Sequence, residues 1–444
     1  MKSLMVAASI TLLTAAPLAW GGMAEHVDRK KIDGIDVIGY PTTIKDVVTI
    51  MGALPAGDAF AAADHDNVAV ATLTAMMLDR GTTKEDKFDI AKKLEGVGAS
   101  LRFNVQDQAL QIQARCLKLD LPLVIDLIAE QLRMPAFSQG EFAKARQQFI
   151  GQLKNAMDNV QERSAEAFKR AVFPLGHPNH EPSIDEYLTA AQTLTLDEVR
   201  AFYRKYYGPD HMTLVLVGDV NMSRIQGTVA NAFRGWKGGV DYLRDAKPAN
   251  LTEPQDHTIA VEMPGKTSII LAIGQSTGLR YKDPDTLALM VGTAVLGSGF
   301  TGRLMHAVRD NEGLTYSISA AVNNNTFTDG SWQVLASFAP QLLDRGTAST
   351  QRELQHWWAD GVSDEELAAR KTNLIGTYQV GLADTSGMAR TLLSTVLRGR
   401  DVTWLDQYPK AVDAVTLLQV NTAIKQHLRP EKMIVVKAGT LPKT

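Results

Sequence analysis

The sequence predicts an α+β protein made of two homologous domains, each a largely antiparallel sheet with helices packed on one face. Three observations carry this expectation. Strand-like segments alternate with long amphipathic helices along the chain. A polar stretch rich in Gly, Pro, Asn and Asp, KGGVDYLRDAKPANLTEPQD at 237–256, divides the chain past its middle. The pattern before this linker then starts again after it. Pro41 with VVTIMG up to Gly52 recurs as Pro264 with SIILAIG up to Gly274. FSQGEFAKARQQFIGQL at 137–153 recurs as VSDEELAARKTNLIGTY at 362–378. TLDEVRAFYRKYYGPDHMTLVLVGD at 195–219 recurs as TLLQVNTAIKQHLRPEKMIVVKAG at 416–439. Three matches in the same order, each displaced by about 220–225 residues, indicate a duplicated αβ domain.

The elements follow in order. Residues 33–52 are strand-like, and 67–78 is apolar and helix-prone. DIAKKLEGVGASL, 89–101, reads as an amphipathic helix stopped by glycine. Alternating strands fill 100–117 and a helix covers 120–132; one long helix runs from about Gln139 to Phe173. FPLGHPNHEPS, 173–183, is a loop, followed by a capped helix from 195 and a strand ending at Gly218. The boundaries are therefore 1–24, 25–236 for the first domain, 237–256 for the linker and 257–444 for the second domain. TTKEDKFD, 82–89, and DEELAARK, 364–371, read as solvated charge at helix starts.

The 444 residues are 45% apolar and 21% charged, with a net charge of −3 and no run of Lys or Arg. Nothing in that balance favours nucleic acid or an anionic membrane as a partner. The single Cys116 excludes an intrachain disulfide and a Cys-rich metal site, and LQIQARC places it on a buried strand position. Residues 1–24 differ: Lys2, an apolar run from 4 to 20 and the small-x-small Gly22-Met23-Ala24 read as a signal peptide. The expectation is a soluble, periplasmic protein.

The stretch richest in chemistry is LGSGFTGRLMHAVRDNEGLTYSIS, 296–319. Gly297 and Gly299 leave the backbone open before a helix that places Leu304 and Val308 on one face. Gly313 ends the helix, and 315–319 reads as a strand. Arg309 and Tyr316 then flank one sharp turn, where a guanidinium and a phenol can hold a peptide carbonyl and stabilise an oxyanion. Taken singly, Arg309 reads equally well as a solvated helix residue pairing with Asp310 or Glu312, and Tyr316 as a strand aromatic. Gly297 and Gly299 are either a plain helix-start turn or a substrate contact. His177 and His180, three apart in a Pro-containing loop, lack the i, i+4 spacing of a helical metal pair; His65 lies before its helix.

The duplicated halves, the GLTY corner and the LVLVGD strand together resemble the pitrilysin/insulinase metallopeptidases, over residues 30–440. That resemblance implies half of a clamshell, and in active members an inverted His-x-x-Glu-His zinc motif on a first-domain helix. Matched through Arg80-Gly81-Thr82, the motif falls on Thr72, Ala75 and Met76, and the third zinc ligand falls on Gln152. None of these can build a zinc site, and Ala75 cannot act as a base. The resemblance assigns Arg309 and Tyr316, seven residues apart, to peptide binding and stabilisation of the tetrahedral intermediate, and 296–302 to substrate handling; Phe300 is expected to add an apolar contact near the cleft. It implies a chain that binds no cofactor itself and works with a homologous, His-x-x-Glu-His-bearing partner that holds zinc, on unfolded peptides. Two other readings of the fold stay open: a structural or assembly subunit without chemistry, and a peptide-binding homodimer.

Overall fold

The computed structural model describes residues 22–63, 66–244 and 257–442. Most of the signal-peptide reading, His65 and residues 245–256 of the linker lie outside the described residues.

The first domain runs β1 (Asp28–Ile32), β2 (Ile35–Pro41), β3 (Val47–Pro55), α1 (Asp58–Ala63), α2 (Val70–Met76), α3 (Lys87–Gly96), β4 (Ser100–Gln106) and β5 (Ala109–Leu117). It continues with α4 (Leu121–Arg133), α5 (Gln139–Met157), α6 (Val160–Val172), α7 (Ile184–Thr193), α8 (Leu196–Tyr206), β6 (Thr213–Gly218) and α9 (Met222–Ala232). The second domain runs β7 (Thr258–Glu262), β8 (Ile269–Ser276), α10 (Thr286–Gly297), a π-helix (Met305–Asn311), β9 (Thr315–Asn323) and β10 (Ser331–Phe338). Then come α11 (Leu343–Asp360), α12 (Asp364–Gly381), α13 (Thr385–Leu397), α14 (Trp404–Ala414), α15 (Leu417–His427) and β11 (Ile434–Gly439).

The sheets share one topology. The first has the order β1-β2-β6-β3-β5-β4 and the second β7-β11-β8-β10-β9. Removing the charged edge strand β1 superimposes the two orders, including one parallel pair in each: β2 with β6, and β7 with β11. All other neighbours are antiparallel. The repeat seen in sequence is thus a repeat of strand order.

The helix expected over 139–173 departs from the sequence expectation. It is two helices, because Asn159 leaves the helix and its side chain caps α6 by accepting from the N–H groups of Gln161 and Glu162. The break lets α6 change domains. Its apolar face, Phe168 and Val172, packs with Phe173 on Ala272, Ile434 and Val436 of the second sheet. The duplicate helix α13 does the reverse, setting Met388, Ala389 and Leu392 against Ile38, Val215 and Val217 of the first sheet. Each sheet therefore has its own helices on one face and a helix from the other domain on the opposite face. Thr49 on β3 and Thr385 on α13 share a buried hydroxyl hydrogen bond of 2.8 Å across this junction.

The main cores lie under the helices of each domain. Trp332 and Trp357 stack in the second, while Trp358 is only half-buried and donates to the Leu428 carbonyl. Cys116 is buried, and burial pushes its thiol up to about 11. His177 is structural: its Nε2 meets Asp329 at 2.8 Å, with both side chains inside the junction of the domains. No helix among the described residues is long and apolar enough to cross a membrane.

Candidate functional site

The corner between residues 296 and 319 is built from two irregular elements. After Gly302 the chain enters a π-helix, in which the Glu312 N–H donates to the Ala307 carbonyl five residues back. Leu304 and Val308 are buried, as their spacing requires, and Arg309 turns out of that face. Gly313 closes the helix at φ +63°, a conformation that glycine adopts without strain.

The strand that follows carries a β-bulge. Thr315 pairs with Phe338 and Ser317 with Ser337, so Tyr316 is the extra residue between them. The Thr315 hydroxyl, bonded to the Ser317 and Ser337 carbonyls at 2.9 and 2.6 Å, braces the bulge. Tyr316 consequently leaves the alternation of the strand and is 83% exposed.

These irregularities bring three of the expected residues together. The Arg309 guanidinium carbon lies 5.4 Å from the ring centres of both Phe300 and Tyr316, so two aromatic rings flank one cation. The Glu312 carboxylate is engaged elsewhere, by Arg352 and by Ser349 at 2.7 Å. Among the described residues no ion pair involves Arg309, so its charge is open to a ligand carbonyl or carboxylate.

The loop carrying Phe300 is held from α12. Arg370, 6% exposed, donates to the Ser298 carbonyl at 3.0 Å and the Thr301 hydroxyl at 3.2 Å. Arg303 makes a two-pronged pair with Glu366, both contacts 2.6 Å, which holds the Glu366 carboxyl down at about 2. The expectation that 364–371 is merely solvated charge is corrected here: Glu366 and Arg370 clamp the 298–303 segment. Sequence reasoning also missed the role of Thr315. The capping box Ser363–Glu366 was readable, but a buried arginine in a charged run gives no local signal.

The two glycines separate. Gly299, at φ +64°, has open space where a side chain would stand. Gly297 is buried at the end of α10, and a Cβ there would sit 2.3 Å from the Ala320 nitrogen. The structure thus gives Gly297 a packing reason, close approach of helix to strand. Beside Gly299 and Met305 lies a groove of about 750 Å³, floored by Ser317, Ser319 and Ser337 and closed by residues 158–161 of the first domain. Among the described residues no strand pairs with the outer edge of β9.

The positions matched to the zinc motif do not fit a metal. Ala75 is buried in the core, Met76 packs partly buried against it, and Gln152 is exposed on α5. Thr72 donates to Asp58 at 3.2 Å and faces a cavity. A hydroxyl, a methyl, a thioether and a neutral amide do not make a zinc donor set. Among the described residues no group of three or more His, Cys, Asp or Glu side chains is arranged to hold a metal ion.

Residues 59–180 match the family model described as insulinase (peptidase family M16), and residues 193–374 match the one described as peptidase M16 inactive domain. The chain belongs to the M16 family. Among M16 relatives, an uncharacterized zinc protease of Streptomyces coelicolor is 26% identical, the match covering 70% of this chain and 68% of that one. The crystal structure of a peptidase M16 inactive domain from Pseudomonas fluorescens superimposes with a TM-score of 0.84 at 22% identity, over 94% of this chain and 98% of that one. A protease from Helicobacter pylori does so with 0.81 at 16%, over 93% and 98%. At these identities the two structures establish the shared two-domain fold.

Proposed function

We propose that this M16 chain is the zinc-free subunit of a periplasmic, heterodimeric metallopeptidase that degrades unfolded peptides. Its partner is a homologous subunit bearing His-x-x-Glu-His, and the metal chemistry belongs to that partner. The observation that carries the reading is the asymmetry of the chain's two halves. Arg309 is ring-flanked and, among the described residues, free of carboxylates, whereas Thr72, Ala75, Met76 and Gln152 offer no metal ligands.

In this reading an extended peptide pairs with the open edge of β9, so that main-chain hydrogen bonds supply affinity with little sequence choice. Arg309 and the Tyr316 hydroxyl donate to the scissile carbonyl and hold the oxyanion as it forms. Gly299 lets the peptide backbone approach, and Phe300 adds an apolar contact while fixing the guanidinium plane. Residues 1–24 direct export.

The test is a native pull-down of the tagged mature chain from its own cells, with co-purifying chains read by mass spectrometry. A stoichiometric His-x-x-Glu-His subunit, with peptidase activity in the pair and in neither chain alone, is the expected result. Recovery of the chain alone, or within a large membrane complex, overturns the reading in favour of a binding or assembly role.

A further inference from the structure

A second site lies on the first domain, away from the Arg309 corner. Two adjoining cavities of about 240 and 200 Å³ share Asp58, Lys169, Glu181 and Tyr187 in their walls. Thr72 and Phe149 line the first, Asp107 the second.

The charges inside do not balance. Lys169 pairs with Glu181, Nζ 2.7 Å from Oε2, and its charge also acts on Asp58 and Asp107, so one cation faces three carboxyl groups. Asp58 accepts only the Thr72 hydroxyl, and among the described residues neither Asp58 nor Asp107 has an ion-pair partner. Burial, then Glu181, pushes the Asp58 carboxyl up to about 7; burial also raises Asp107. An independent feature points to a ligand. Tyr187 is only 8% exposed, borders both cavities, and its hydroxyl has no hydrogen-bond partner among the described residues. The phenol oxygen is thus left open toward the cavity, where a ligand can bond it.

We infer that this paired cavity binds a primary ammonium group. An ammonium carries three donors, enough for the Asp58 carboxylate and the Tyr187 oxygen, and restores the missing positive charge. A metal ion is the poorer fit, since no suitable ligand group exists among the described residues. The Phe149 and Tyr187 rings, edge to face with centres 6.4 Å apart, provide apolar and π surface for the alkyl body that follows the charge. The ammonium belongs either to a free amine or to a lysine side chain of a bound peptide, and nothing in the inference depends on Arg309 or Tyr316.

Calorimetric titration of the full mature chain separates these cases. The probes are putrescine, the uncharged 1,4-butanediol, a blocked tripeptide with central lysine, and the same tripeptide with norleucine. One-site binding of a charged probe without its neutral counterpart is expected, and which charged probe binds identifies the source. Asp58→Asn and Tyr187→Phe, checked for folding by circular dichroism, should each weaken binding, the first by roughly tenfold or more. Failure of both charged probes, equal binding of charged and neutral probes, or wild-type affinity in Asp58→Asn overturns the inference.

Discussion

The Arg309 guanidinium stands 5.4 Å from the centre of the Tyr316 ring, although a π-helix, a left-handed glycine and a β-bulge separate the two along the chain. The bulge points an 83%-exposed phenol at solvent beside an uncompensated cation. Such an arrangement contributes little to folding and is suited to a ligand that bears a carbonyl. Tyr316→Phe should therefore leave the melting temperature and subunit assembly unchanged while lowering kcat of the proposed heterodimer by roughly 100-fold or more. Steady-state kinetics on the reconstituted pair decide it; unchanged turnover removes Tyr316 from the mechanism.

Thr315 should matter for a different reason. Its hydroxyl bridges the Ser317 and Ser337 carbonyls, taking the place of the ladder bond that the bulge interrupts. Thr315→Val keeps the shape and removes the bridge, at a cost of about 1–2 kcal/mol in urea unfolding. Turnover should fall further than stability explains, because Tyr316 loses its aim, and Thr315→Ser should restore it. A valine variant with full turnover would show that the bulge holds without the hydroxyl.

The sequence carried the fold well because a duplication writes the same alternation twice, from VVTIMG to SIILAIG and from LVLVGD to IVVKAG. It placed Arg309, Tyr316 and Phe300 near one turn for the same local reason: helix, glycine and strand follow within a few residues. Exchange of α6 and α13 was not legible, since which sheet a helix covers depends on contacts more than a hundred residues away. Asn159, a readable cap, marked the break inside 139–173 but not its destination. Likewise Ser183 with Glu186 forms a capping box that announces α7, which the sequence reading passed over. The clamp by Arg370 could not be anticipated, because only the tertiary fold takes that guanidinium out of water.

Gly297 and Gly299 should respond unequally to alanine. At Gly297 the new methyl meets the Ala320 main chain at 2.3 Å, so helix and strand must part, costing roughly 1–3 kcal/mol. At Gly299 the space is open and only the positive φ is strained, a cost of about 1 kcal/mol. Chemical denaturation of both variants compares them, and equal losses would contradict the packing role given to Gly297.

The Asp58 carboxyl makes stability depend on pH with a definite sign. Unfolded, it ionises near its ordinary 3.8; folded, burial and the nearby Glu181 push it up to about 7. Between these values the folded state holds a proton that the unfolded state has lost. Stability contributed by Asp58 is therefore greatest below the window and falls as pH rises through it. Asp58→Asn has no such proton, so its unfolding free energy should decline less from pH 4 to pH 7 and should exceed wild type at pH 8. Parallel urea curves for the two proteins across that range would rule Asp58 out as the source.

Phe168 tests whether the domains unfold as one body. It enters the second sheet from a helix of the first domain, over Gly274, where a Cβ would stand 2.9 Å from its ring. Phe168→Ala opens a cavity there and should cost about 3–5 kcal/mol. Because α13 makes the reciprocal contact in the first sheet, that loss should lower one shared calorimetric transition rather than split off a second-domain peak. Two transitions already present in the wild-type chain would show that the exchanged helices decorate the domains without coupling them. A single transition shifted as a whole would show that the exchanged helices couple the two domains, both of which supply walls to the groove beside β9.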